Sequence, residues 1–530
     1  MRSRLYNHIK SLFLPCVFFS VAAGFFSAIL ITAFKLATDG IIHLSAFLYG
    51  TVRENPIYLP LLILGAASIG LISSFILSRS HSCRGGGIPT SVAAIRGIVG
   101  FKWIASIFIL PFSALLSFLC GLPLGTEGPC VQMGTAIGDG VVRSLNKEKY
   151  NPWRRYIMTG GASAGFSIAT ASPITAILFS MEELHKHFSP MLITVASISV
   201  ISAQITARFL ALLGIGTVNL FHMPIIDAID IKILFAPLLV GIVCGGASII
   251  FTGFYKYVDK FTHAILGKIS IKIAFPIIFS GVSIIGFFLP DAIGSGHALI
   301  DKLLQRQGVW LFLIAVFLIR AIGMMISNTA GATGGVFLPT LAFGAILGSI
   351  CADIMIALGW ISAEHYTLIV ILGITAFLSS TSRIPITACV FAIEALGGIN
   401  NILAIIIAAT ASLLIVELSG LEDFTDTLIN AKVRAIKKGK TPTVVEVRLT
   451  VKESSFAVGK EIHDILWPNA CTVISFERSA QNKGNIGISA GDIITVHYKT
   501  YNPAVTAEEI TSLVGIQNDN IFAITNPSDQ

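Results

Sequence analysis

Charge is what this chain has least of. Only 12% of its 530 residues are Asp, Glu, Lys or Arg, about half the share of an ordinary soluble domain. That scarcity excludes a disordered chain, a collagen and the basic surface of a nucleic-acid-binding protein. Paired cysteines are missing as well. The eight cysteines are scattered, most inside apolar runs such as those around Cys120 and Cys244. They read as small buried hydrophobes, with neither a disulfide framework nor a metal site. No HExxH and no nucleophile elbow occurs, and His185 and His187 stand without metal-ligating company. The sequence therefore supports no enzyme, no metal and no cofactor.

What is present is apolar: 54% of the chain is hydrophobic. A core of that kind needs an apolar solvent, so the chain reads as a polytopic membrane protein. Uncharged stretches cover 11–34, 55–78, 103–126, 156–181, 188–207, 233–255, 273–290, 321–352, 365–382 and 395–416. At ~20 residues per span, ten or more helices fit. The net charge of +7 concentrates at the ends, in Arg2, Arg4 and Lys10 and in Lys432, Arg434, Lys437, Lys438 and Lys440. By the positive-inside rule both ends are cytoplasmic. The first apolar run is too long for a signal peptide and reads as a retained span.

The stretches are rich in glycine and hold internal prolines, among them Pro89, Pro129, Pro173, Pro339 and Pro385. Broken helices survive in lipid only where freed backbone groups face protein or a water-filled path, which points to a transporter or channel. After about residue 440 the pattern changes. Val444–Leu449, Ala470–Phe476 and Asp492–Tyr498 read as strands and Lys460–Leu466 as a short helix, ahead of a loose tail. This is a small cytoplasmic α+β domain.

An internal repeat organises the rest. Gly125, Pro129, Gly134 and Gly138 recur as Gly335, Pro339, Gly344 and Gly348. Pro173-Ile174-Thr175-Ala176 with Phe179 and Glu182 recurs as Pro385-Ile386-Thr387-Ala388 with Phe391 and Glu394, and Gly85-Gly86-Gly87 has its counterpart in Gly294-Ser295-Gly296. Three anchors in one order point to a transport site between two halves, parallel or inverted.

The clusters 85–89, 125–129 and 334–339 each end in proline and read as helix starts. Free N–H groups and a partial positive charge at several converging starts bind an anion without holding it as tightly as a full cation. Taken singly, each cluster reads as a packing kink. Glu127 sits between glycines at one start, and a carboxylate in the bilayer is costly and usually functional. It can occupy the anion site when charged and leave it when protonated, acting as gate and proton carrier. Glu182-Glu183 closes the 156–181 run. The local residues favour a plain helix-end pair; the functional alternative makes one of them the place where protons enter. Glu394, Glu417, Arg320 and Arg383 read as structural pairs without assignable partners.

At these residues the sequence resembles the CLC family of chloride channels and chloride/proton antiporters, over most of 10–430. Gly85-Gly86-Gly87-Ile88-Pro89 is similar to the family's GSGIP, Gly125-Thr126-Glu127-Gly128-Pro129 to GREGP, and Gly335-Val336-Phe337-Leu338-Pro339 to GxFxP. The resemblance implies two inverted halves per subunit, a homodimer with one pathway per subunit, and chloride as substrate. It implies that Glu127 is the external gate and Glu183 the internal proton-transfer glutamate of antiporter members. The implied anion-binding set is Gly85, Gly86, Gly87, Ile88, Gly125, Thr126, Gly128, Gly335, Val336, Phe337 and Phe424, with Val336 and Phe337 donating backbone N–H groups. Three positions depart from the pattern. Gly86 replaces the central serine, Phe424 stands for the coordinating tyrosine, and Thr126 replaces the arginine of GREGP. Each lost hydroxyl removes about 1 kcal/mol of hydrogen bonding, so weaker anion binding and looser selectivity are expected. Residues 444–500 resemble the C-terminal subdomain of regulators of potassium conductance, through Val458-Gly459-Lys460, Ile462, Leu466, Pro468 and Gly491-Asp492. That implies a regulatory or dimerising role with an unidentified small ligand; the alternative is a passive cap.

The expectation is thus an all-α polytopic protein of two inverted-repeat halves with discontinuous helices (about 50–215 and 255–430). They lie within a transmembrane domain 1–440, followed by the cytoplasmic α+β domain 441–530. Its expected function is exchange of chloride, or a similar small anion, for protons across a prokaryotic plasma (inner) membrane. A passive anion channel is the alternative.

Overall fold

The computed structural model describes residues 14–145, 151–216, 226, 228–265, 269–306, 310–436, 443–453, 455–468, 471–479, 487–500, 503–515 and 517–525. Arg2, Arg4, Lys10, Lys437, Lys438, Lys440 and Ala470 lie outside these.

The repeat read from glycine and proline is a repeat of helices. The first half holds α1 (Leu14–Glu54), α2 (Leu59–Ser78), α3 (Ile88–Ile95), α4 (Trp103–Leu119), α5 (Glu127–Leu145), α6 (Trp153–Thr170), α7 (Pro173–Phe179) and α8 (Pro190–Leu212). The second half follows the same order with α9 (Phe235–Ile265), α10 (Ile271–Phe288), α11 (His297–Leu304), α12 (Trp310–Ala330), α13 (Phe337–Ala357), α14 (Tyr366–Ser382), α15 (Pro385–Glu394) and α16 (Ile402–Ser419). A last helix, α17 (Phe424–Ile436), leads to the C-terminal domain.

Among the described residues nine helices are long and apolar enough to cross a membrane, fewer than the ten or more expected. The run 103–126 yields only the 17-residue α4 and 156–181 is broken, while 321–352 supplies two helices. The run 156–181 stops at Ala171, which turns left-handed (φ +55°) two residues before Pro173. Arg383 (φ +55°) does the same two residues before Pro385. Proline lacks the N–H that would extend the helical ladder and disfavours helical geometry in the residue before it. The run 321–352 likewise divides into α12 and α13 at 331–336. The eight-residue α3 and α11 reach only about 12 Å, so they end within the protein. Leu64, Phe108, Ile205 and Leu418 stand 65%, 70%, 64% and 85% exposed on the outer faces. An apolar exterior around a close-packed interior is that of a multi-pass membrane protein.

Within each half the repeat glycines let two helices cross at backbone distance. A Cβ on Gly134 or Gly138 would strike the carbonyls of Gly161 or Ile157 on α6; one on Gly344 or Gly348 would strike Gly373 or Ile369 on α14. These four glycines pack helices.

The two halves meet as antiparallel copies. Gly125 and Gly335, equivalent in the repeat, exchange both N–H···O bonds at 2.7 Å. Mutual contact between equivalent residues is the mark of a two-fold relation, since a translated copy would contact a third position instead.

The C-terminal domain is an antiparallel sheet in the order β2-β3-β1-β4, built from β1 (Thr443–Thr450), β2 (Cys471–Glu477), β3 (Ile493–Thr500) and β4 (Gln517–Thr525), with α18 (Pro503–Val514) beside it. Val445, Val447, Leu449, Ile494, Val496, Tyr498 and Ile510 form its core. Two expectations are corrected. The stretch Lys460–Leu466 keeps only a 3₁₀ turn at Ile462–Asp464, too short to propagate as a helix ahead of Pro468. The loose tail instead supplies α18 and the strand pairing β1. The domain docks on the start of α6: Arg155 pairs with Glu509 at 2.5 Å, the Tyr156 hydroxyl donates to the Asp464 carbonyl at 2.7 Å, and Trp153 meets Phe456 edge-on at 5.3 Å.

Candidate functional site

The three glycine clusters converge. Gly87, with φ +131°, precedes α3, and a Cβ there would lie 3.0 Å from the Cα of Gly128. A Cβ on Gly128 would lie 2.5 Å from the Cα of Gly335. The starts of α3, α5 and α13 therefore touch backbone to backbone, which brings Gly85, Gly86, Gly87, Ile88, Gly125, Thr126, Gly128, Gly335, Val336 and Phe337 into one region. The N–H groups of Val336 and Phe337 open α13 and find no acceptor among the described residues. One donor is already used: the Gly87 N–H donates a hydrogen bond to the Gln132 side-chain oxygen at 2.7 Å. Sequence reading missed Gln132, an amide in mid-helix that also donates to the Ser82 carbonyl and the Ser106 hydroxyl. The equivalent start in the second half is closed. There the buried Arg320 guanidinium donates to the carbonyls of Asp291, Ile293 and Gly294 at 3.3, 2.9 and 2.6 Å.

Glu127 is 1% exposed at the first turn of α5. Its Oε1 accepts from the Thr126 hydroxyl at 3.1 Å, and its Oε2 has no partner among the described residues. The carboxyl folds back over the paired loops, with Oε2 2.6 Å from where a Cβ on Gly125 would stand. Phe337 is caged by Phe166, Phe179 and Phe391 at centroid distances of 5.0, 6.4 and 5.8 Å. The ring thus packs the start of α13 against α6, α7 and α15.

The departures have physical reasons. A Cβ at Gly86 would come 2.5 Å from Leu110 Cδ1 and 3.0 Å from Gln132 Oε1, so glycine is what the packing of α4 and α5 admits. Phe424 opens α17, 1% exposed, edge-on to Phe251 at 5.2 Å and Tyr255 at 5.1 Å. It reaches α13 through Phe251 and Phe343, with no ring contact to Phe337. Tyr255 carries the nearby hydroxyl, and it donates to Asn328 Oδ1 at 3.0 Å. That tyrosine and amide border a cavity of about 450 Å³, also lined by His81, Arg84, Gly85, Asp259 and Lys432, which leads to the start of α3. The Lys432 ammonium is anchored on the Arg84 carbonyl at 2.9 Å and on the Thr90 hydroxyl.

Glu183 lies at the other end of the α5–α6 pair. It is 2% exposed in a single π-helical turn, Ser180–His185, and its Oε2 has no partner among the described residues. The next residue but one, His185, is hydrogen-bonded through Nε2 to Thr159, one turn along α6 from the Arg155 that binds the C-terminal domain. Glu127, by contrast, starts α5 twelve residues before Asp139, whose carboxylate holds Arg154 at 2.5 Å beside that domain. Helical rise puts it about 18 Å deeper. Glu182 is structural: its carboxylate accepts from Ile386 N at 3.2 Å and Thr387 N at 2.6 Å, capping α15. Its repeat mate Glu394 caps α7 through Ile174 N at 2.9 Å and Thr175 N at 2.8 Å. Glu417 pairs with Arg383 at 3.1 Å. Among the described residues no three His, Cys, Asp or Glu side chains stand close enough to hold a metal ion.

A sequence profile described as "Voltage gated chloride channel" matches residues 69–417. The chain is 26% identical over 391 residues to a Vibrio campbellii protein named H(+)/Cl(-) exchange transporter ClcA, covering 73% of this chain and 81% of that one. Its fold matches the crystal structure of a slow cyanobacterial Cl−/H+ antiporter with a TM-score of 0.69 at 21% identity, over 79% of this chain and 98% of the other. It also matches a CLC-type fluoride/proton antiporter with a TM-score of 0.64 at 20% identity, over 76% and 95%.

Proposed function

Since the chain belongs to the voltage-gated chloride channel family, we propose that it exchanges chloride, or a similar small anion, for protons. The observation that carries this reading is a buried carboxylate with one unpartnered oxygen, Glu127, at three converging helix starts whose N–H groups suit an anion. A second buried carboxylate, Glu183, lies toward the C-terminal domain. Chloride competes with the Glu127 carboxylate for the N–H groups of Val336 and Phe337. Protonation removes the negative charge of Glu127, so the side chain leaves and the anion takes its place. The proton that Glu127 carries is exchanged with Glu183. The cavity bordered by Lys432 is the approach for the anion, and its fixed positive charge raises local anion concentration.

The remaining assignments follow from this reading. Both termini and the C-terminal domain face the cytoplasm, the membrane is a plasma membrane, and the working unit is a homodimer with one pathway per subunit. The C-terminal domain is a regulatory module for a small ligand, as its likeness to regulators of potassium conductance implies.

In proteoliposomes with a pH electrode, Glu127→Gln is expected to abolish anion-coupled proton movement. Glu183→Gln is expected to retain anion flux without proton movement. Unchanged proton pumping by Glu183→Gln removes the assignment. The lost hydroxyls at Gly86 and Phe424 favour the second reading, a passive anion channel. A reversal potential that ignores a pH gradient selects it.

A further inference from the structure

Glu183 is buried to 2% exposure and its Oε2 has no partner among the described residues. A proton travelling between it and the aqueous face must pass a neighbour. Glu182 is committed, with both oxygens capping α15. His185 is held on Thr159 at 2.8 Å. The other charged groups facing Glu183 are Arg96 from α3, Lys186 from the turn after the π-helical residues, and Asp423 and Asp426 from the start of α17.

These four form one network. The Lys186 ammonium binds Asp423 and, at 3.1 Å, Asp426. Arg96 reaches Asp426 at 3.6 Å, and Asp423 Oδ1 accepts the Asp426 N–H at 2.5 Å. Lys186 is held at φ +54°, a backbone geometry that a lysine rarely adopts. The two aspartates differ in access. The Asp423 side chain is 1% exposed, whereas that of Asp426 is 32% exposed. Thr425 precedes Asp426 on α17, and Arg96, which pairs with Asp426, also donates to the carbonyl of Leu184, the residue after Glu183, at 3.1 Å. One carboxylate therefore meets water on one side and the neighbourhood of the buried glutamate on the other.

We propose that Asp426 is the port through which protons pass between the aqueous face and Glu183, along the Thr425 hydroxyl. The step balances as a single proton transfer. The protonated Asp426 carboxyl gives its proton to the threonine oxygen as the threonine proton moves to the Glu183 carboxylate. Asp426, left as a carboxylate, then takes a proton from water. Lys186 and Arg96 keep Asp426 in place and offset its charge beside Asp423.

This port rests on the exchange reading, and the test separates the two. Proton uptake and anion flux are measured together on the full chain in proteoliposomes. Asp426→Asn is expected to slow proton uptake roughly tenfold or more while anion flux persists. Asp426→Glu restores coupling, and Asp426→His moves the pH dependence of uptake toward neutrality. Wild-type protein that moves anions without protons fails the exchange reading and the port with it. Proton movement by the wild type, matched at the same ratio by Asp426→Asn, overturns the port alone. So does equal loss of both fluxes in the Asn and Glu variants, since a port serves only the proton branch.

Discussion

Gly86 shows how a single absent side chain is set by its neighbours. Read in sequence, glycine in place of serine is a lost hydroxyl. In the structure it is also a lack of room, because Leu110 and Gln132 close over the backbone. Gln132 Oε1 holds the Gly87 N–H, so anything that pushes it also disturbs the start of α3. Gly86→Ser alone is expected to cost about 1–3 kcal/mol of stability through overpacking, read as a lower melting temperature in detergent. Chloride affinity by isothermal titration should improve only in Gly86→Ser/Leu110→Ala, by about fivefold, which is the worth of one neutral hydrogen bond. A fully stable single variant with tighter chloride binding would show that the pocket has space after all.

Short helices cannot hold themselves, and α7 and α15 illustrate what does. Seven and ten residues are below the length at which helical bonds repay nucleation. Each has a proline at its first turn and free N–H groups beyond it. Each takes its capping carboxylate from the end of the other unit, Glu394 for α7 and Glu182 for α15. Replacing a capping side chain typically costs ~0.5–2 kcal/mol, and Glu394→Ala is expected to fall in that range by thermal unfolding. An unchanged melting temperature would mean that the cap is idle. The same construction explains why Glu182 and Glu183, adjacent and chemically identical, differ in role. One faces a helix start and is consumed by it. The other keeps an oxygen free beside α17.

At the scale of the whole molecule, a two-fold membrane unit carries a sheet domain on one face. The aromatic contact between them is Trp153 and Tyr156 against Phe456, and Lys460 lies over the Phe456 ring at 3.2 Å. Burial lowers the Lys460 ammonium from its usual range to about 7, offset in part by Asp464. An unfolded lysine titrates near 10.4. Between about pH 7 and 10 the unfolded domain therefore binds the extra proton, and stability rises with pH across that window. Below pH 7 both states are protonated and the slope vanishes. Hydrogen exchange of residues 443–500 in the full chain, normalised for intrinsic rates, should show protection growing from pH 7 to 9. Lys460→Met should flatten that growth; a slope that survives the substitution assigns it to another group.

The membrane class, the repeat and the helix starts were legible in the sequence because each is encoded locally. Charge scarcity selects the solvent, and glycine and proline punctuate the backbone. The pairing of the halves was not legible. Gly125 with Gly335, Glu394 with Ile174 and Lys186 with Asp423 join residues more than two hundred positions apart. Local composition determines that N–H groups and carboxylates exist at helix ends. Only the folded arrangement decides which of them are used up in capping and ion pairs, because that depends on which end meets which. For that reason Glu127 and Glu183 each keep an oxygen without a partner among the described residues, while the oxygens of Glu182 and Glu394 are taken by helix starts.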